Sequence, residues 1–166
     1  MNEMSVHDHE CRTHSGEPFN LRALRGQVLL IVNVASKCGF TPQLAELEAL
    51  YREHRERGFT VLGFPCNQFA HQSPESAEEF CTFGERRYAV TFPLMEKVDV
   101  NGGKAHPLFR ALKEQAPGML GTRAIKWNFT KFLIGRDGRV IRRFGPRATA
   151  VDMLQDLEQA LDEPVV

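Results

Sequence analysis

Cys38 is the residue whose type and position most clearly indicate chemistry. It follows an apolar run at 28–32 that is typical of a buried strand, and it precedes a row of leucines at helical spacing. Thr41 and Pro42 suit the N-cap and the first position of that helix. The free amide groups of a helix N-terminus favour an anion, and Lys37 adds a positive charge beside the sulfur. The sequence therefore predicts a nucleophilic Cys38 that is partly thiolate near neutral pH, although a cysteine that merely fills the core has the same surroundings in sequence.

The composition argues against several classes of partner. The 166 residues carry 21 basic and 21 acidic side chains, and a net charge of zero does not favour nucleic acid or an anionic membrane. The longest apolar run is too short to span a bilayer, and the polar N-terminus lacks the apolar region of a signal peptide. We therefore expect one cytoplasmic domain, residues 1–166, without stable membrane association. Its four cysteines are expected to be thiols rather than a disulfide framework.

The first half of the chain has the pattern of a hairpin followed by strand, helix and strand. A turn signal at 15–18 predicts a small N-terminal hairpin, and the next strand is expected at 27–34. A helix is expected at 42–57, with Gly58 as the residue that ends it, and a second buried strand at 59–64. This order within about forty residues predicts a right-handed parallel βαβ unit.

The second half predicts the remaining elements of an α/β fold. A helix that carries Cys81 is expected to begin either at Ser73 before Pro74 or at Ser76, which has the spacing of a capping box with Glu79. The further expected elements are a third strand at 95–100, a short helix at 107–115, strands at 131–134 and 139–144 joined as a hairpin, and a final helix opened by Thr149 and Asp152. The predicted architecture is a central mixed β-sheet flanked by helices, with an N-terminal β-hairpin, and it resembles the thioredoxin-like fold.

Several segments combine residues in an unusual way, and together they resemble the signatures of the glutathione peroxidase family. One of them contains the only tryptophan of the chain, Trp127, beside Asn128. The resemblance extends over residues 21–161. The segments are NVASKCG at 33–39, GFPCNQF at 63–69 with Gln72 just beyond it, VTFP at 90–93, DVNG at 99–102 and KWNFTKF at 126–132.

The resemblance implies a peroxidatic site made of Cys38, Gln72, Trp127 and Asn128, with no metal and no cofactor. Many vertebrate family members have selenocysteine at the position of Cys38. The implied activity is reduction of hydrogen peroxide and organic hydroperoxides, in which the thiolate attacks one peroxide oxygen and becomes a sulfenic acid. The N–H groups of the other three side chains would hydrogen-bond the sulfur and the leaving oxygen.

The second thiol of the catalytic cycle is where the sequence departs from the family pattern. Cysteine-type members usually carry a resolving cysteine four residues before the aromatic residue that precedes Gly-Val-Thr-Phe-Pro, and thioredoxin reduces the resulting disulfide. Here that position is Gly84, four residues before Tyr88, and Cys81 lies three residues earlier on the same helix face. We expect Cys81 to replace the usual resolver; the alternative is a buried helix residue. A disulfide needs Cα atoms within about 7 Å, and the resemblance implies that the helix unwinds partly to reach this distance. We therefore expect the reduced cysteines to be unbonded and apart.

Two other functions stay open on sequence alone. If Cys81 does not resolve Cys38, glutathione would do so directly in a one-cysteine peroxidase. A peroxide sensor or relay would use the same Cys38 to pass oxidation to a partner protein through a mixed disulfide. The connection at 117–127 is short, as in monomeric family members, so we expect a monomer with thioredoxin or glutathione as its reductant.

Two local features have alternative interpretations. Cys66 is expected to be structural, with resolution of Cys38 as the alternative. The glutamine loop lacks two glycines of the family pattern, at Ala70 and Glu75, and this predicts a slightly different path for Gln72.

The N-terminus is rich in histidine. On a strand, His7, His9 and Cys11 would share one face, and imidazole and thiolate are zinc-type ligands. The spacing is not that of a recognised metal site, so we expect a polar hairpin without metal.

Overall fold

A computed structural model describes residues 5–165 of the chain. Strands and helices follow one another in the predicted order, with one exception described below. The strands are β1 (Glu10–Arg12), β2 (Pro18–Asn20), β3 (Val28–Val34), β4 (Phe59–Pro65), β5 (Lys131–Ile134) and β6 (Val140–Phe144), and the α-helices are α1 (Gln43–His54), α2 (Ala77–Tyr88), α3 (Pro107–Gln115) and α4 (Ala150–Asp162).

Four of the strands form a central mixed sheet in the order β4-β3-β5-β6. β3 pairs in parallel with β4 and antiparallel with β5, and β5 and β6 form the predicted hairpin. The parallel pair requires a crossover, which α1 provides, so the predicted βαβ unit is confirmed. β1 and β2 form the expected N-terminal hairpin as a separate two-stranded sheet.

The central sheet separates two hydrophobic cores. Both β3 and β4 are buried throughout, which explains why they appear in sequence as continuous apolar runs. Because side chains alternate along a strand, Leu30 and Val32 pack on the side of α1, α2 and α4. Leu29 and Ile31 pack on the other side, with α3 and the N-terminal hairpin. Helices therefore cover both faces of the sheet.

Residues 95–100 do not form the strand that the sequence predicts. Their backbone hydrogen bonds are divided between two neighbours: Met95 N–H donates to the carbonyl of Gly63 on β4, and Glu96 N–H donates to the carbonyl of Arg12 on the hairpin. Only isolated bridges result. The apolar Met95, Val98 and Val100 are buried, but a strand also needs one neighbour along its whole length, and this segment has none among residues 5–165.

The helix ends agree with most of the predicted signals. Both predicted capping boxes are present, at Ser76 with Glu79 and at Thr149 with Asp152. Gly58 ends the turn that follows α1 with a left-handed φ of 88°. Between residues 5 and 165, no helix has the length and apolar character needed to cross a membrane.

Candidate active site

Cys38 lies in the loop between β3 and α1, and only 7% of the residue is exposed. Its backbone N–H donates to Thr41 Oγ1 at 3.0 Å, and that hydroxyl donates to the carbonyl of Ala35 at 2.7 Å. The N–H of Phe40 donates to Cys38 Sγ at 3.4 Å. An amide donor in this position would stabilise negative charge on the sulfur.

The interpretation of Thr41 as the helix cap is wrong. α1 begins at Gln43, and Pro42 occupies the N-cap position without a side-chain cap bond. The Thr41 hydroxyl is used inside the Cys38 loop instead, where it is 4% exposed. Its two hydrogen bonds fix the backbone of the loop rather than the start of the helix.

Gln72 is held beside the Cys38 loop by both its backbone and its side chain. Its carbonyl accepts the N–H of Lys37 at 2.9 Å, and its Oε1 accepts Nδ2 of Asn128 at 3.1 Å. Because Oε1 is the acceptor, the Nε2 group of Gln72 stays available as a donor. Asn128 is fully buried, and its Oδ1 has no partner among residues 5–165. Two of the predicted site residues are therefore joined directly.

Two consecutive residues of the glutamine loop have left-handed backbone conformations. Ala70 has φ 53° and His71 has φ 51°, both in the left-handed region that residues with a Cβ rarely adopt. The loop is closed by Gln72 N–H, which donates to the carbonyl of Phe69 at 3.2 Å. Ala70 therefore carries backbone strain that a glycine at this position would not have.

Asn33, which sequence reasoning missed, holds the turn that carries Trp127 and Asn128. Its Nδ2 donates to the carbonyl of Trp127 at 3.3 Å, and its Oδ1 accepts the N–H of Thr130 at 3.1 Å. Its carbonyl accepts the N–H of Phe129 at 2.7 Å, and Phe129 has a left-handed φ of 63°. The available signal was a polar residue inside the apolar run of β3.

The Trp127 ring contacts both cores of the protein, at the point where β5 begins. It packs against Phe69 of the glutamine loop, with ring centroids 5.7 Å apart and planes inclined by 52°. Trp127 therefore joins the glutamine loop to the turn held by Asn33. The tryptophan, asparagine and glutamine segments form one packed unit next to the Cys38 loop.

Cys81 lies on α2 and is 8% exposed. Its thiol donates to Glu85 Oε1 at 3.3 Å. Burial, and then the hydrogen bond to Glu85, raise the pKa of Cys81 to about 11. Cys81 and Cys38 are both free thiols, as expected of a reduced protein with an intact helix, and both belong to the core on the α1–α2 side of the sheet.

The other two cysteines are core residues. Cys66 is fully buried after β4, and burial raises the pKa of its thiol. Burial also raises the pKa of Cys11, to about 12. Neither environment stabilises a thiolate.

The three N-terminal residues considered as zinc ligands do not share a strand. His7 lies in a short 3₁₀ turn, Val6–Asp8, and its Nε2 is 3.1 Å from the carbonyl of Gln27. Only Cys11 is on β1. Residues 5–165 contain no cluster of three or more histidine, cysteine or acidic side chains suited to a metal ion.

Glu48 is a second residue that sequence reasoning missed. This buried carboxylate of α1 accepts the N–H and hydroxyl of Thr91 at 2.7 and 2.6 Å and the N–H of Phe92 at 3.2 Å, and it pairs with Arg52. Arg52 also donates to the carbonyl of Ala89 at 3.2 Å. The segment after α2 is thus bound to the helix that follows Cys38.

A four-stranded mixed sheet with helices on both faces and a cysteine loop beyond β3 defines a protein of the thioredoxin-like fold class, as the sequence predicts. The family model described as glutathione peroxidase matches residues 6–113. The chain belongs to the glutathione peroxidase family, and it is an enzyme that acts on peroxide.

The relatives are similar to this chain over nearly its whole length. A glutathione peroxidase-like peroxiredoxin of Saccharomyces cerevisiae is 53% identical over 148 residues, which are 89% of this chain and 91% of the relative. A hydroperoxy fatty acid reductase of Synechocystis sp. is 54% identical over 151 residues, 88% of this chain and 89% of the relative. The crystal structure of T. cruzi GPX1 has a TM-score of 0.80 and 42% identity, and covers 95% of this chain and 97% of its own.

Proposed function

We propose that the protein is a thiol peroxidase that reduces hydrogen peroxide and organic hydroperoxides, with Cys38 as the nucleophile and Gln72, Trp127 and Asn128 around it. The observation that carries the proposal is the link between the Cys38 loop and the amide pair of Gln72 and Asn128. The names of the relatives, a peroxiredoxin and a hydroperoxy fatty acid reductase, support it.

In the first step the Cys38 thiolate attacks the terminal oxygen of the hydroperoxide. An S–O bond forms, the O–O bond breaks, and the leaving oxygen takes a proton to become water or an alcohol. The free Nε2 group of Gln72 is the donor that stabilises charge on the leaving oxygen. The unpaired Oδ1 of Asn128 is suited to accept the O–H of the incoming peroxide. Cys38 ends the step as a sulfenic acid.

In the second step Cys81 resolves the sulfenic acid, and a thioredoxin-type protein dithiol reduces the resulting disulfide. The Cys81 sulfur bonds to the Cys38 sulfur, the S–O bond breaks, and hydroxide leaves as water with the thiol proton. The dithiol then supplies two electrons and two protons and becomes a disulfide itself. The pairing is supported by the place of both cysteines in the same hydrophobic core, on the α1–α2 side of the sheet.

The finer expectations belong to the same proposal. The whole chain acts as one catalytic domain, as a monomer, in the reducing cytoplasm. The short connection between α3 and Trp127 supports the monomer. The four free thiols support the reducing compartment.

The test is peptide mapping by mass spectrometry after one equivalent of hydrogen peroxide is added to reduced protein without other thiols. We expect a bridge between Cys38 and Cys81. Cys81→Ala abolishes the bridge and the turnover with thioredoxin. The matched control Cys66→Ala removes another buried thiol and leaves both intact.

Three results would contradict parts of the proposal. A sulfenic or sulfinic Cys38 without a bridge would indicate resolution by glutathione. A bridge that forms once without turnover in the presence of thioredoxin would indicate a sensor or relay. A Cys38 that stays reduced would refute the peroxidase itself.

A further inference from the structure

Cys81 forms a contact with Glu85 on α2, and the peroxidase cycle described above gives Glu85 no role. They are four residues apart and therefore share a helix face, and the thiol donates to Glu85 Oε1 at 3.3 Å. The thiol can donate only while it is protonated, so the contact favours the neutral sulfur. The pKa of Cys81, about 11, agrees with this geometry.

Charges from three elements face this pair. Glu78 on α2 adds to the negative potential at the sulfur. Cys81 and Glu85 line a cleft of about 700 Å³ together with His14 and Glu17 from the hairpin turn and Arg52 from α1. Besides Cys81, the charged or titratable side chains that line this cleft are His14, Glu17, Arg52 and Glu85. Of these, Glu85 alone accepts a hydrogen bond from the thiol among residues 5–165.

The C-terminal end of α2 is fixed, and Glu85 belongs to the fixed end. Ala89 N–H donates to the carbonyl of Glu85 at 3.1 Å, and Val90 N–H donates to the carbonyl of Gly84 at 3.2 Å. The carbonyl of Ala89 accepts Arg52 of α1 at 3.2 Å. Glu48 of α1 also binds the N–H groups of Thr91 and Phe92, and together these bonds hold the end of α2 to α1.

Among residues 5–165, the part of α2 before Gly84 makes no hydrogen bond or ion pair to α1 and is held to it by apolar packing, chiefly through the fully buried Phe80. Gly84 weakens the helix interior by about 1 kcal/mol relative to alanine. The N-terminal end is held by its exposed capping box of Ser76 and Glu79. Opening of α2 on this side would carry Cys81 away while Glu85 stays with the fixed end.

We propose that Glu85 is a positioning residue that holds Cys81 as an unreactive thiol in the folded helix, until the opening of α2 that the family resemblance implies releases it. The inference rests on the proposed role of Cys81 as resolver. In the helix the thiol is withheld from peroxide and from other thiols. After release it loses its proton to solvent, and the thiolate attacks the Cys38 sulfenic acid. The departing hydroxide takes up a proton, so that one disulfide and one water are formed.

The test measures how fast iodoacetamide alkylates Cys81 as a function of pH, by mass spectrometry of its peptide, in the full chain with Cys38→Ser. We expect Glu85→Gln to accelerate alkylation at pH 8 by about tenfold, which corresponds to a change of about one pH unit in the alkylation profile. Glu85→Ala, which also removes the acceptor, is expected to accelerate it at least as much. The matched control Glu78→Gln removes a carboxylate on the same helix that makes no hydrogen bond to the thiol, and should change the rate by less than about threefold.

Equal effects of Glu85→Gln and Glu78→Gln, or no effect of either Glu85 variant, would overturn the inference. Far-ultraviolet circular dichroism on each variant separates a lost contact from a lost helix. Bridge mapping on the wild-type chain is scored separately. A Cys38–Cys81 bridge with an unchanged alkylation profile refutes the role of Glu85 and leaves the resolver intact. A shifted profile without a bridge supports the hold on the thiol and refutes the resolver.

Discussion

Replacement of Asn33 by leucine tests whether the turn of Trp127 and Asn128 must be held in place for catalysis. Asn33→Leu keeps the approximate size of the side chain and removes both of its polar groups. Those groups bind the carbonyl of Trp127 and the N–H of Thr130, inside a region where Asn33 is fully buried. The change therefore acts on the turn without touching a residue proposed to contact peroxide.

The expected loss of stability follows from the hydrogen bonds. Thr130 N–H would lose its acceptor at a residue only 2% exposed, which costs about 1–3 kcal/mol. The carbonyl of Trp127 keeps the Thr130 hydroxyl at 3.0 Å, so its loss is about 1 kcal/mol. The added apolar burial of leucine offsets part of this. We expect the free energy of unfolding to fall by about 2–3 kcal/mol.

The assay combines urea denaturation with stopped-flow oxidation of the reduced protein by hydrogen peroxide. We expect the second-order rate constant of Cys38 oxidation to fall at least about tenfold, or ~1.4 kcal/mol in the barrier. The control is Thr60→Val, which removes the side-chain hydrogen bond that Thr60 Oγ1 donates to Gln27 Oε1 at 2.6 Å. Thr60 lies at the start of β4, whereas Asn33 is paired with Phe64 near the end of that strand. It should lower stability and leave the rate constant unchanged.

A loss of stability with an unchanged oxidation rate would refute the reasoning, because the turn would then function without its anchor. An equal loss of rate in Thr60→Val would also refute it, since the effect would then follow from general destabilisation.

Three further changes have defined outcomes. Ala70→Gly relieves a left-handed φ of 53° and should raise the free energy of unfolding by about 1 kcal/mol in urea denaturation. Burial opposes ionisation of Glu48, but the hydrogen bonds from Thr91 prevail and lower its pKa in the folded protein. The carboxylate therefore stabilises the fold fully above the pKa of an unfolded glutamate, about 4.3, and this stabilisation is lost as the pH falls through the lower pKa of the folded state. Denaturation curves from pH 3 to 7 should show Glu48→Gln less stable than wild type by about 2 kcal/mol at pH 7, with the gap narrowing in acid. Gly84→Ala should strengthen α2 by about 1 kcal/mol and slow disulfide formation by Cys81 several-fold in quenched-flow mapping, because alanine favours the intact helix over the opened one. The new methyl group would lie 3.3 Å from Leu94 Cδ1, closer than ordinary van der Waals contact, so the end of the Leu94 side chain must shift slightly.

Much of the fold was predictable because local signals agreed with the tertiary structure. The apolar runs of β3 and β4, the glycine after α1 and both capping boxes each depend on a few neighbouring residues. The segment 95–100 was mispredicted because its hydrogen bonds go to two partners distant in sequence. Thr41 was misassigned for a related reason: a threonine before a helix can serve the helix or the loop, and here it serves the loop.

The candidate site was predictable only in part. Cys38 has a local physical signature, since it lies between a buried strand and a helix. Gln72 and Asn128 were found through the family resemblance, because a single amide in a loop has no periodicity to identify it. Asn33 and Glu48 act through backbone groups far along the chain, and sequence pattern carries no record of those partners.

The attachment of the segment after α2 to Glu48 has a consequence for competition between thiols. With that segment and the C-terminal end of α2 fixed to α1, a released Cys81 is tethered by the three residues 82–84 rather than by the whole chain between the two cysteines. A short flexible tether gives an effective concentration in the millimolar range at its target. A diffusible thiol must reach a similar concentration to intercept the sulfenic acid first. One buried carboxylate on α1 would thereby influence which reductant the enzyme uses.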